Sequence, residues 1–211
     1  MHKLKTFIRY LADFTQYGQL RLVMASIIYI ATGKSFIETR IYRGKLGYFL
    51  HRKGSLDFQF GNYAYEWNVK KFVLKYMHQY DTFLDVGANI GTYTIMMTGK
   101  GLKSFAFEPV YSNYKALTIN ILLNNFEDKA TAFNFGLSDE ATTASFDFDP
   151  LNTGASHIST VAAETPEAAQ RSIPIEIKLH KLDDVMGKMN LDPKSKVLMK
   201  IDVEGMECQV L

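Results

Sequence analysis

The sequence predicts an α/β fold, a parallel doubly wound sheet with helices on both faces, preceded by a small helical and hairpin region. Three observations carry that prediction. Residues 83–86 (Phe-Leu-Asp-Val) form a short apolar run that meets Gly87 and passes at once into a helix-compatible run, residues 90–97. Residues 104–108 (Ser-Phe-Ala-Phe-Glu) form a second short strand ending in an acid, followed by Pro109. Residues 197–202 (Val-Leu-Met-Lys-Ile-Asp) form a further strand of the same kind. Short apolar strands that alternate with helical patterns build βαβ units, and so a parallel sheet.

Taken in order, residues 1–60 make the N-terminal region. Leu4, Phe7, Ile8 and Leu11 recur at helical spacing over residues 3–17, with Lys3, Lys5 and Arg9 among them. A basic amphipathic helix either packs on its own domain or lies on an anionic membrane surface, and both readings fit. A second helix covers residues 20–31 and stops at Thr32-Gly33. Ile37, Thr39 and Ile41, then Tyr48, Phe49 and Leu50, read as short strands broken by Gly44, Gly47 and Gly54. The main domain spans residues 61–211. Asn62 is placed to cap a helix reaching about residue 79, with Trp67, Phe72, Val73, Tyr76, Met77 and Tyr80 as its buried stripe.

After the second core strand, Ser112 and Asn113 open a helix with Tyr114, Leu117 and Ile121 on one face, ended by Asn124-Asn125. A third strand is expected over residues 130–137, and another over 142–147. Residues 150–170 are irregular and rich in small residues, which marks a loop that moves or serves a site. Residues 173–179 alternate as a strand does, Leu182 begins a short helix, residues 197–202 are the fourth core strand, and Gly205 turns the chain into the next helix.

Composition narrows the function. Of 211 residues, 47% are hydrophobic and 22% charged, which describes an ordinary globular protein. A net charge of +2 gives no electrostatic footprint for nucleic acid. A single cysteine, Cys208, excludes an internal disulfide framework, fits a reducing compartment and reads as a small buried hydrophobe. The basic start is not followed by a leader-like apolar core, and the most apolar run, 22–31, is shorter than the roughly 20 residues of a spanning helix. The expectation is a cytoplasmic protein.

The glycine spacing selects a ligand. A dinucleotide turn needs G-x-G-x-x-G, but Asn89 stands at the middle position here, leaving G-x-x-x-G between Gly87 and Gly91. Without that glycine a pyrophosphate has no close approach to the backbone, so a ligand bearing an amino-acid carboxylate suits the turn better, and S-adenosylmethionine is such a ligand. Glu108, roughly twenty residues past Gly87, is spaced to hydrogen-bond ribose hydroxyls, which that ligand shares with NAD. An NAD-binding protein and a non-catalytic binding or scaffold protein remain the alternatives.

Asp85-Val-Gly-Ala-Asn-Ile-Gly91, Phe107-Glu108-Pro109, Gly136-Leu-Ser-Asp139, Leu182-Asp183-Asp184 and Lys200-Ile-Asp-Val-Glu-Gly-Met-Glu207 occur in an order that resembles the FkbM family of S-adenosylmethionine-dependent methyltransferases. The resemblance runs from about Gly47 to Leu211. It implies a Rossmann-like class I methyltransferase sheet and O-methylation of a sugar, glycolipid or natural-product hydroxyl. It also implies seven core strands in the order 3-2-1-4-5-7-6. Four can be found, so the domain reads as truncated after the fourth, with that edge open to self-association as a homo-oligomer.

The expected cofactor contacts are Asp85, Gly87, Ala88, Asn89, Gly91, Tyr93, Glu108, Leu137 and Ser138, with Leu137 either an apolar wall beside the adenine or plain core. In a doubly wound sheet the ligand sits where strand order reverses, between the first and fourth strands, which brings Asp202 beside Asp85. Asp202 is the expected base; Glu204 is a second candidate or a helix cap; His157 enters from the irregular loop as a base or metal ligand, or stays solvated. No cluster has zinc spacing, although converging carboxylates could hold Mg²⁺ or Ca²⁺. The acceptor is a small molecule or glycan, and the Asn/Asp-Pro-Pro-aromatic motif of nucleic-acid base methylation is absent.

Overall fold

A computed structural model describes residues 2–155, 157–158, 166–203 and 206–210. The chain opens with helices α1 (His2–Gln16) and α2 (Leu20–Thr32), followed by the hairpin β1 (Arg40–Gly44) and β2 (Gly47–His51). α1 turns an apolar face inward: Phe14 is buried against Phe58, and the Asp13 carboxylate accepts the N–H groups of Lys45 and Tyr63 at 3.3 and 3.0 Å. α2 ends at Gly33, in the left-handed region at φ +67, whose N–H returns to the Tyr29 carbonyl. The short α3 (Asp57–Phe60) and then α4 (Trp67–Tyr76) lead into the sheet. Among the described residues no helix is long and apolar enough to cross a membrane.

The central sheet is parallel. β3 (Thr82–Val86), α5 (Thr92–Thr98), β4 (Lys103–Phe107), α6 (Tyr111–Leu123) and β5 (Ala130–Phe133) follow as consecutive βαβ units. A second sheet is built from β6 (Gly136–Leu137), β7 (Thr142–Phe148), β8 (His157–Ile158) and β9 (Ile173–His180), with α7 (Pro166–Arg171) before β9. The chain returns through α8 (Leu182–Met189) to β10 (Val197–Ile201) and α9 (Glu207–Val210). Strand order is β10-β3-β4-β5, which is the expected 3-2-1-4 arrangement, all parallel. The second sheet runs β6-β9-β7-β8 and the hairpin is separate, so neither extends the central sheet.

Every residue of β3 is buried, as a strand covered on both faces should be. Leu84, Val86, Phe105 and Phe107 meet Val185 and Met189 of α8 on one face. Phe83 meets Met96 and Met97 of α5 and Val73 and Met77 on the other. Side-chain amides dock the hairpin on α6: Asn124 accepts the Tyr48 N–H and donates to its carbonyl, while Asn120 accepts the Leu50 N–H and donates to the Ile90 carbonyl. These bonds satisfy a strand edge without a partner strand.

Four details differ from the sequence reading. Asn62 does not cap α4; its Oδ1 closes a local turn on the Ala64 N–H, and the helix starts only at Trp67. Phe72 is 62% exposed and stacks near Tyr76, because the buried stripe runs through Lys70, Val73 and Met77 instead. The expected third strand is two strands in two sheets. Asn134 donates to the carbonyls of Glu108 and Pro109, bending the chain so that β6 leaves β4 and pairs with β9. Cys208 is exposed on α9, not buried.

Candidate functional site

The turn after β3 shows why its glycines are there. Gly87 has φ +74, and a Cβ on it would sit 1.9 Å from the backbone oxygen of Asp202. Only glycine lets the ends of β3 and β10 come that close. Asn89 takes φ +50, a region asparagine tolerates. Its N–H donates to Glu108 at 2.7 Å and its Oδ1 accepts the Thr153 hydroxyl at 2.9 Å. Gly91, at φ +86, makes room for Leu117 of α6 and does not face the cavity. Asp85 also turns away: its Oδ2 accepts the N–H and hydroxyl of Thr94, capping the first turn of α5. Asp85 and Gly91, expected among the ligand contacts, are therefore not among the residues that line the cavity. Alternation along β3 sends Asp85 to the α5 face, and Gly91 serves helix packing.

Glu108 lies at the end of β4 and lines the cavity although only 4% of its surface is exposed. It accepts the N–H groups of Asn89 and Val110 and, at 3.5 Å, the amide of Asn113. Asn113 is oriented in turn by Arg52, which is held by a two-oxygen pairing with buried Asp57. Burial pushes the Glu108 carboxyl up to about 7, against the opposing pull of these donors and the Arg52 charge. Three donors on a group with about four acceptor positions leave one free for a ligand hydroxyl.

The other end of the cavity is a charged cluster. Lys200 is the register partner of Asp85, and its Nζ lies 2.9 Å from Asp202 Oδ2, 3.7 Å from Asp85 Oδ1 and 5.1 Å from the Tyr93 ring centroid. Burial alone would lower its pKa; the two carboxylates outweigh that and raise it. Asp202 is about half exposed and faces the cavity. The Tyr93 hydroxyl donates to Glu66 Oε2 at 2.8 Å. Burial first, and then the Glu66 charge, hold the hydroxyls of Tyr93 and Tyr65 protonated. Glu66 itself has φ +48, a strained position for that residue, at the start of α4. Lys70, one turn on, is fully buried, donates to the Tyr65 and Asn62 carbonyls, and is pushed down to about 7 by burial.

Between these ends the wall is apolar: Val110 ahead of α6, with Leu137, Phe146, Ile177 and Leu179 of the second sheet. Gly87, Ala88, Asn89, Tyr93, Glu108, Leu137 and Asp202 therefore share one cavity, as expected. Ser138 sits just beyond it, its N–H on the His180 carbonyl and its hydroxyl on Asp139. His157 pairs through its backbone with Asp147, and its side chain lies outside the described residues, as does Glu204. Thr153 and Gly154 carry the start of the irregular 150–170 segment into the cavity wall; residues 156 and 159–165 lie outside the described residues. Glu66, Tyr65, Phe60 and Lys200 were not evident as wall residues from the sequence.

Residues 85–211 match the model of the methyltransferase FkbM domain, which is more than half of the chain. The chain belongs to the FkbM methyltransferase family. Among curated relatives, it is 30% identical over 150 residues to "Methyltransferase sdnD" of Sordaria araneosa, covering 61% of this chain and 58% of that protein. It is also 30% identical over 151 residues to "Hexuronic acid methyltransferase AglP" of Haloferax volcanii, covering 69% of this chain and 55% of that protein. The chain thus spans a little over half the length of these relatives. A solved S-adenosylmethionine-dependent methyltransferase from Agrobacterium tumefaciens aligns over 47% of this chain and 33% of its own, at 12% identity and a TM-score of 0.37. That likeness is too slight to add to the strand order, which carries the fold.

The charged side chains among the described cavity residues are Glu66, which precedes the matched FkbM span, and Glu108, Asp202 and Lys200 within it. Three carboxyl groups against one lysine make the wall acidic, with Glu108 only partly ionised near neutral pH because of its burial.

Proposed function

We propose that the chain is an S-adenosylmethionine-dependent O-methyltransferase whose acceptor is a hydroxyl of a sugar, glycolipid or related natural product. The observation that carries the reading is the meeting of the glycine turn, Glu108 and the Asp202–Lys200 pair in one acidic cavity at the carboxyl ends of β3, β4 and β10. The family supports methyl transfer, and a relative named for hexuronic acid supports a sugar acceptor. Bound S-adenosylmethionine would supply a methyl group on a good leaving group. Glu108 and the backbone at residues 87–89 would hold it, with Leu137 and Leu179 as apolar walls.

The chain's own task is then positioning and proton removal. A sugar hydroxyl is almost un-ionised near neutral pH, so a carboxylate within reach of its proton speeds attack. Asp202 keeps one oxygen on Lys200 and leaves Oδ1 for the acceptor. Glu66, fixed by Tyr93, lines the same end and can receive a second acceptor hydroxyl. Holding the acceptor oxygen in line removes much of the entropic barrier.

Methyl-labelled S-adenosylmethionine offered with a panel of uronic acids, neutral glycans and glycolipids should give a product one methyl heavier by mass spectrometry. Absence of any labelled product across that panel, with cofactor bound, would favour the non-catalytic alternative. Because Glu108 titrates near 7 and a ribose hydroxyl needs an acceptor, S-adenosylmethionine should bind roughly tenfold more tightly at about pH 8 than at about pH 6. Calorimetry should show this slope, and Glu108→Gln should flatten it.

A further inference from the structure

α2 is apolar almost all round. Its inner face, with Leu22 buried, packs on the protein. Its outer face carries Leu20, Met24, Ile27 and, on the flank, Ile30, each between 45% and 66% exposed, and Phe36 beyond the helix end is 68% exposed. The spacing of 20, 24 and 27 makes a continuous stripe along one side. A helix apolar on both faces is normally covered on both. At 13 residues it is about 20 Å long, too short for the roughly 30 Å of a bilayer core. It can lie in a membrane interface but cannot cross one.

Charge says what covers it. Residues 1–37 contain Lys3, Lys5, Arg9, Arg21 and Lys34 against a single acid, Asp13, which is buried and held by two backbone N–H groups. Where the stripe begins, Leu20 and Ile41 border a shallow groove flanked by Arg21 and Arg40. Neither arginine has an ion-pair partner among the described residues, and the nearby Glu38 is paired with Lys53. An apolar strip continuous with two free guanidinium groups matches acyl chains beneath anionic phosphate headgroups.

We propose that α2 and the Arg21–Arg40 groove dock this protein on an anionic membrane surface. It rests on α2 and that groove, and leaves the expected contact through the 3–17 helix, where Ile8 is exposed, as a separate reading. The proposal is independent of the methyl-transfer reading, since docking is measured without turnover. In co-sedimentation with vesicles, the chain should pellet with phosphatidylglycerol-containing vesicles and stay largely in solution with phosphatidylcholine alone. Met24→Glu/Ile27→Glu should weaken the binding at least tenfold. Arg21→Ala/Arg40→Ala should remove the preference for anionic lipid while leaving the melting temperature unchanged, and it carries the test if the first variant fails to fold. Two results would overturn the idea: no binding to anionic vesicles, or a dimer in sedimentation velocity that Met24→Glu/Ile27→Glu dissolves, which would make a second copy the cover.

Discussion

Gly87→Ala should abolish ligand binding and lower the melting temperature by about 10 °C, since the several kcal/mol involved translate at roughly 2–4 °C each for a chain of this size. Two effects add. A φ of +74 costs an L-residue about 1–2 kcal/mol. The new Cβ would also meet the Asp202 backbone oxygen at 1.9 Å, so β3 and β10 must part where Lys200 and Asp202 are positioned. Gly54→Ala is the matched control: its φ is +73, and nothing lies within 4 Å of the added carbon. It should show the conformational cost alone. Equal destabilisation of the two variants in thermal unfolding would mean that the close strand approach is not what Gly87 provides.

Asp202→Asn should leave S-adenosylmethionine affinity within a few-fold and reduce methyl transfer by roughly 10²–10⁴, the usual contribution of a positioned general base. The substitution keeps the shape and an oxygen for Lys200, so the loss reports the proton acceptor and not a collapsed site. Single-turnover rates, read beside calorimetric affinity, separate the two. Turnover within threefold of the parent would remove Asp202 from the reaction and leave Glu66 as the remaining carboxylate at that end.

What the sequence by itself determined is local. The β3 run, the turn at Gly87, the acid at the end of β4 and the apolar β10 are each specified by neighbours along the chain: backbone sterics at one glycine, alternation over five residues, a strand too apolar to be solvated. The 3-2-1-4 strand order is what the FkbM resemblance implies, and the pairing of β10 with β3 agrees with it; given that order, those constraints place the strand ends together. With that order they were enough to bring Gly87, Asn89, Glu108 and Asp202 to one cavity. A lone lysine in an apolar strand was the visible signal for Lys200, yet it reads equally well as a device against edge pairing.

Only the tertiary structure decided which of the remaining polar groups face the ligand. Asp85 is two positions from Gly87, but the pleat turns it onto Thr94. Glu66 is more than a hundred residues from Asp202, and no local pattern announces a glutamate at positive φ whose carboxylate accepts a tyrosine hydroxyl from another helix. Phe72 and Lys70 exchange the places that hydrophobicity would assign them. Lys70 finds two carbonyls and two aromatic rings inside, while Phe72 lies beside the Tyr76 ring at the surface. Burial of a charge depends on partners supplied from elsewhere in the chain, and a linear pattern of apolar residues does not contain them.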